Sequence, residues 1–235
     1  RTFASYFDES VGMVGGLTLL YPLPDRSVPV AKFGLFARVQ ALDWAFLQIV
    51  ASYSSHTGKP TAVLGNNFGF LREVYEEVGG FKKIGFSVTE DFALMQAVKR
   101  TKRWKILHAL DPGNTIFSYP VSSLGAFFRQ RQRWVAGGKG ADVWMHFMLI
   151  QTVLLHAALI AVLFVPGSII WKAALWVIVF GFDYSIISPV LNRLRLHRLK
   201  PYFFLFEVFY FIYSILFAIT ALLPLKVRWK GRVYK

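Results

Sequence analysis

Three long apolar runs close this chain, and they restrict its fold more than any other feature. They cover Met145–Val165, Ser168–Val190 and Phe203–Pro224. Each exceeds the ~20 residues that, at ~1.5 Å rise per residue, cross a ~30 Å hydrocarbon layer. The first carries no charged residue. Lipid offers no water to satisfy backbone N–H and C=O groups, so runs of this kind fold as helices. Pro166-Gly167 makes a tight hairpin between the first two. Residues 1–142 read differently, mixing polar and apolar residues as a soluble α/β unit does. The sequence thus divides into a folded part, 1–142, and a membrane region, 143–235, with about three helices and a basic tail.

The net charge of +14, from 27 Lys and Arg against 13 Asp and Glu, admits a nucleic-acid partner or an anionic membrane surface. Position decides between them. Arg129, Arg131, Arg133 and Lys139 precede the first run; Arg193, Arg195, Arg198 and Lys200 separate the last two; Lys226, Arg228, Lys230 and Arg232 follow. This is the juxtamembrane pattern, so membrane lipids are the expected partner and nucleic acid is not. With no cysteine there is neither a disulfide nor a thiolate metal site. The opening Arg1-Thr2-Phe3-Ala4 has no signal-peptide character, and the chain reads as a segment of a larger protein.

Along residues 1–142 the pattern predicts a strand over Val11–Leu20 ending in the turn cluster Tyr21-Pro22-Leu23-Pro24-Asp25. Leu42, Ala45, Phe46, Ile49 and Val50 recur at helical spacing, predicting a helix over about 36–55. Thr61–Leu64 reads as a short strand leading into Gly65-Asn66-Asn67. A helix over Arg72–Val78 stops at Gly79-Gly80. Ser87-Val88-Thr89-Glu90 has capping-box spacing and opens the next helix. Trp104–Leu110 is a predicted strand. An amphipathic, basic, interfacial helix is predicted at about 122–140, with Leu124–Trp134 as its centre.

Two motifs bear chemistry. Thr89-Glu90-Asp91 serves either as a helix cap whose acids complement the helix dipole, or as a mount for Asp91 as a rigidly aimed general base. Gln130-Arg131-Gln132-Arg133-Trp134 serves either as a membrane-surface face with Trp134 as anchor, or as a binding helix. In the second case Arg133 neutralises a diphosphate and Trp134 stacks on a sugar.

Taken in order, Gly65-Asn66-Asn67, Arg72-Glu73, Val78-Gly79-Gly80-Phe81, Thr89-Glu90-Asp91 and Gln130-x-x-Arg133-Trp134 ahead of membrane helices resemble the second half of membrane-bound family 2 glycosyltransferases. That group includes bacterial cellulose synthase catalytic subunits and ceramide glucosyltransferases. The resemblance covers residues 8–140. It implies an α/β fold class, the C-terminal half of a GT-A-type domain, followed by an α-helical transmembrane region. It implies an inverting transfer from a nucleotide-sugar donor to a lipid or glycan acceptor. Asp91 then matches the catalytic base and Glu90 its neighbour, with Thr89 completing the motif. Gln130, Arg133 and Trp134 match the helix that contacts donor diphosphate and acceptor sugar, and Asn66 and Asn67 the acceptor-pocket loop. The tail Val227-Arg228-Trp229-Lys230-Gly231-Arg232 resembles a basic tail of several such enzymes, and reads equally as ordinary positive flanking.

The sequence departs from the family in having no Asp-x-Asp. The Mg²⁺ or Mn²⁺ of such enzymes is therefore expected on ligands outside this chain, and the chain alone is expected to be inactive. A second departure is topological: three spans from a cytosolic catalytic part, at a bacterial inner membrane, leave the basic tail outside, against the positive-inside tendency. Either one run is interfacial or re-entrant, or the tail is outside. Of the ionisable residues in the apolar runs, Lys172 can snorkel, Glu207 reads as paired with Arg198 and Lys200, and Asp183 reads as a lipid-acceptor or conduction-path residue. The competing classes are a non-catalytic membrane scaffold, a processive polysaccharide synthase subunit and a small transporter.

Overall fold

The computed structural model describes residues 3–20, 34–222, 227–229 and 232–234; the predicted turn at 21–25 lies outside them. The run Val11–Leu20 forms two strands rather than one, β1 (Val11–Gly15) and β2 (Thr18–Leu20), in separate sheets. The chain changes sheets at Gly16, where a Cβ would meet the Asn67 amide and the Phe3 ring at 2.7 Å. All residues of both strands are buried.

Helix α1 (Leu35–His56) forms where the periodicity predicts it. The strand expected at Thr61–Leu64 does not form. The Asn67 amide donates to the Leu64 carbonyl at 2.9 Å, closing a turn, and only after it does the chain run beside β1 as β3 (Phe68–Phe70). Helix α2 (Arg72–Glu77) ends at Gly79, whose φ of +77° is the left-handed stop the glycine pair predicts. Gly80 then opens a further short helix, α3 (Gly80–Ile84). Helix α4 (Glu90–Thr101) leads to β4 (Lys105–His108), parallel to β1; β5 (Ile116–Ser118), only three residues long, pairs parallel with β2. The α/β character is thus confined to small sheets within a mostly helical chain.

Helix α5 (Leu124–Gly137) is capped by the Ser123 hydroxyl, which accepts from the Ala126 amide at 3.2 Å. Then come α6 (Val143–Phe164), α7 (Ile169–Arg193) and α8 (Phe203–Leu222), followed by the antiparallel hairpin of β6 (Val227–Trp229) and β7 (Arg232–Tyr234). Among the described residues, three segments are long and apolar enough to cross a membrane: Val143–Phe164, Ile169–Arg193 and His197–Thr220.

Two apolar cores position the site. Met13, Val74, Leu94, Met95, Trp104 and Ile106 fix α4 on the first sheet. The other joins β2, α1 and the membrane helices through Leu17, Leu19, Leu42, Ile187, Leu191 and Phe206. The residues after α7, Leu194, Leu196 and Leu199, pack into this same core. Helix α8 lies against α1 and α5, and β6 returns to pack on α5. Both ends of α8 therefore touch elements that precede Val143.

Candidate active site

Asp91 stands in the first turn of α4 with its carboxylate held at both oxygens. Oδ2 accepts from the Gly65 amide at 2.7 Å and Oδ1 from the Phe92 amide at 2.8 Å. Glycine at 65 favours this approach, since a Cβ there would stand 3.0 Å from Oδ2 and press on the carboxylate. The carboxylate opens toward solvent beside exposed Gly65, Asn66 and Glu90.

The capping box does not form. Thr89 occupies the N-cap position without a side-chain cap bond, and Ser87 Oγ accepts from the Thr89 amide at 3.1 Å rather than from Glu90. The reason lies across the interface. Buried Thr89 packs directly on Gly137 at the end of α5, and any Cβ at Gly137 would overlap it.

The two predicted loop asparagines have different roles. Asn67 Nδ2 donates to the Leu17 carbonyl at 2.8 Å and to the Asn114 carbonyl at 3.0 Å, so its amide pins the loop to the sheet junction. Exposed Asn66 accepts from Thr18 Oγ1 at 3.3 Å.

Helix α5 delivers its motif to this loop from the other side. Arg133 Nη1 donates to the Val88 carbonyl at 2.8 Å, one residue before the Thr89-Glu90-Asp91 motif. Half-buried Trp134 turns inward, 5.5 Å from the Trp44 ring. Half-buried Gln130 lines a small cleft with Gln40, Trp44, Tyr119 and Val121. Arg131 is not a membrane-surface residue as its sequence position suggests. It is 5% exposed, pairs with wholly buried Asp43 of α1, and lies 4.0 Å over the Trp134 ring. Tyr213 of α8 donates to the other Asp43 oxygen. Burial pushes the Asp43 carboxyl up, while Arg131 and Tyr213 oppose this.

A family model, Glycosyl transferase family group 2, matches residues 3–225. The chain belongs to this family. No curated protein and no solved structure matches it.

In this glycosyltransferase the Thr89–Asp91 and Gln130–Trp134 motifs, distant in sequence, meet around the Val88 carbonyl and the contact of Thr89 with Gly137. Sequence reading missed Asp43 and Arg131, although an acid on the apolar face of α1, between Leu42 and Ala45, was the signal available. It also misassigned Glu207, which is buried at 3% exposure with no ion pair to Arg198 or Lys200 among the described residues. Lys172 donates to the Leu163 carbonyl at 3.0 Å, across the hairpin between α6 and α7.

A larger cleft, lined by Phe86, Phe92, Gln96, Arg100 and Gly137, flanks α4. At 3.6 residues per turn, Gln96 and Arg100 lie on the face of the helix opposite Asp91, so this cleft does not present a ligand to the carboxylate. Among the described residues no three His, Asp or Glu side chains converge to hold a metal ion.

Proposed function

We propose that this chain carries the base and acceptor side of an inverting glycosyltransferase of the cellulose synthase and ceramide glucosyltransferase type. It moves a hexosyl group from a nucleotide-sugar donor to a lipid or glycan hydroxyl at the membrane. The observation that carries this reading is the junction of α4 and α5: Asp91 is fixed by the Gly65 amide while Arg133 is fixed by the Val88 carbonyl.

Asp91 accepts the proton of the acceptor hydroxyl as that oxygen bonds to the sugar C1. The bond from C1 to the diphosphate oxygen breaks, and its electron pair leaves with the nucleotide. Attack from the face opposite the leaving group inverts the anomeric centre in one displacement. Arg133, planar and permanently charged, faces the charge that develops on the diphosphate. Asn66, Gln130 and Trp134 line the acceptor side, and Asn67 holds the loop that carries Gly65. Glu90 adds a second negative charge beside the base. A divalent cation would neutralise the donor diphosphate, and its ligands belong outside the described residues.

The same reading places the catalytic part at the cytosolic face of a bacterial inner membrane. Arg193, Arg195, Arg198 and Lys200 lie at the segment that packs into the catalytic core, as the positive-inside tendency requires. With α6 and α7 as the crossing hairpin and α8 lying along α1 and α5, the basic tail stays on the catalytic side.

The test is nucleotide release from a panel of nucleotide sugars, made with the complete reading frame in liposomes, with Asp91→Asn as control. Release that depends on Asp91 supports transfer. Equal release by both proteins, or none with any donor, moves the reading to a non-catalytic membrane scaffold.

A further inference from the structure

The Asp43 carboxylate has a use that the transfer chemistry does not assign. It is wholly buried, lies in the middle of α1, and accepts from two other elements at once, Arg131 of α5 at one oxygen and Tyr213 of α8 at the other. None of the three touches the Asp91 carboxylate. What they surround is the Gln130–Trp134 turn.

Arg131 Nε and Nη1 have no hydrogen-bond partner among the described residues. Its guanidinium lies instead over the rings of Trp134 at 4.0 Å, Phe127 at 4.6 Å and Tyr213 at 5.7 Å. Asp43 is therefore the only carboxylate ion-paired with it among the described residues. A buried, planar cation with one anionic partner and aromatic faces has one favourable orientation. The same cation lies against Trp134 and sits two residues before Arg133, so its orientation sets how α5 is rotated. Tyr213 adds a second constraint, because it fixes α8 to the same carboxylate. Phe127 meets Phe209 at 5.1 Å and Tyr213 at 5.4 Å, so the α5–α8 contact is otherwise made by rings that slide more freely than a hydrogen bond.

We propose that Asp43 is a positioning residue of the transferase: it locks the rotation of the Gln130–Trp134 helix through Arg131 and its register against α8 through Tyr213. The proposal rests on the transferase reading only for its kinetic consequence. The geometric consequence stands apart from it.

The chain has no cysteine, so labels can be placed without background. Spin labels at Arg129→Cys on α5 and Ile219→Cys on α8, both exposed, report the spacing of the two helices in nanodiscs. The parent protein should give one narrow distance distribution. Asp43→Asn should broaden or split it. Because Asp43→Asn leaves buried Arg131 uncompensated and risks misfolding, Tyr213→Phe is the second variant, removing one hydroxyl and little volume; it should broaden the distribution measurably while melting stays cooperative. With a donor that the parent protein turns over, both variants should lower kcat several-fold or more and leave the donor KM within about twofold, and Asp43→Glu should recover part of kcat. Unchanged, narrow distributions in both variants overturn the proposal, as does a loss confined to KM. Broadened distributions in a protein that turns over no donor uphold the positioning role and count against the transferase reading alone.

Discussion

The Gly65 amide donates to Asp91 Oδ2 at 2.7 Å, across 26 residues of sequence, and so fixes the carboxylate from outside its own helix. A carboxylate held from two sides keeps its aim without a second charged side chain against it.

Asp91→Asn keeps the size of the side chain and can still accept at one oxygen, but it cannot take a proton. Transfer in the complete enzyme should fall by ~10²–10⁴-fold, the range expected for a general base, while nucleotide-sugar binding measured by calorimetry is retained. Transfer at the parental rate would remove Asp91 from the mechanism.

Two neighbouring glycines give a sharper contrast. Gly137→Ala drives a methyl into Thr89, whereas Gly138→Ala meets nothing within 4 Å. The first should lose ~1–3 kcal/mol of stability by overpacking and lose transfer with it. The second should stay within ~0.5 kcal/mol of the parent. Thermal melts in detergent, run beside the activity assay, decide the matter; matched behaviour of the two variants would mean that α5 does not seat on Thr89.

His108 is 1% exposed, in the core behind β1. Burial pulls its pKa from 6.5 to about 4; a hydrogen bond with the Ala62 backbone opposes this, and the nearby His56 adds to the lowering. The folded state therefore binds its proton less readily than the unfolded chain. Its contribution to stability is complete above about pH 6.5, shrinks as pH falls, and is gone below about pH 4, amounting to roughly 3 kcal/mol over that window. His108→Gln should flatten this acid limb of stability measured by denaturant melts between pH 7 and pH 4. An unaltered limb would assign it to other groups.

The side of the tail is testable by labelling single cysteines in sealed vesicles. Glu76→Cys and a cysteine added after Lys235 should react from the same side, and Val165→Cys, at the α6–α7 hairpin, from the other. A tail that labels together with position 165 would make α8 a full crossing.

Much of this arrangement was legible in the sequence. The helices announced themselves by apolar period and glycine stops, the membrane runs by length, and the two motifs by residue type and order. Asp43 and Arg131 were harder to read. Asp43 lies within an apolar helix pattern and Arg131 within a basic one, and their pairing exists only once α1 and α5 cross. The strand at Phe68–Phe70 was displaced in prediction to Thr61–Leu64 because β propensity does not record that Asn67 closes a turn between them. Glu207 shows the same limit: the nearest charged residues in sequence, Lys200 and Arg198, are basic, but α8 packs on α1, α5 and α6.

Helix α4 has its far end moored to the first turn of a membrane helix. Lys99 pairs with Asp142, the cap of α6, and Gln96 reaches Met145 at 3.4 Å. Eight residues separate Asp91 from Lys99, which at ~1.5 Å each is roughly 12 Å of rigid rod. That rod acts as a ruler. On the reading proposed above, its length sets how far from the first turn of α6 an acceptor has to present its hydroxyl, so α4 sorts acceptors by distance before any pocket has touched them.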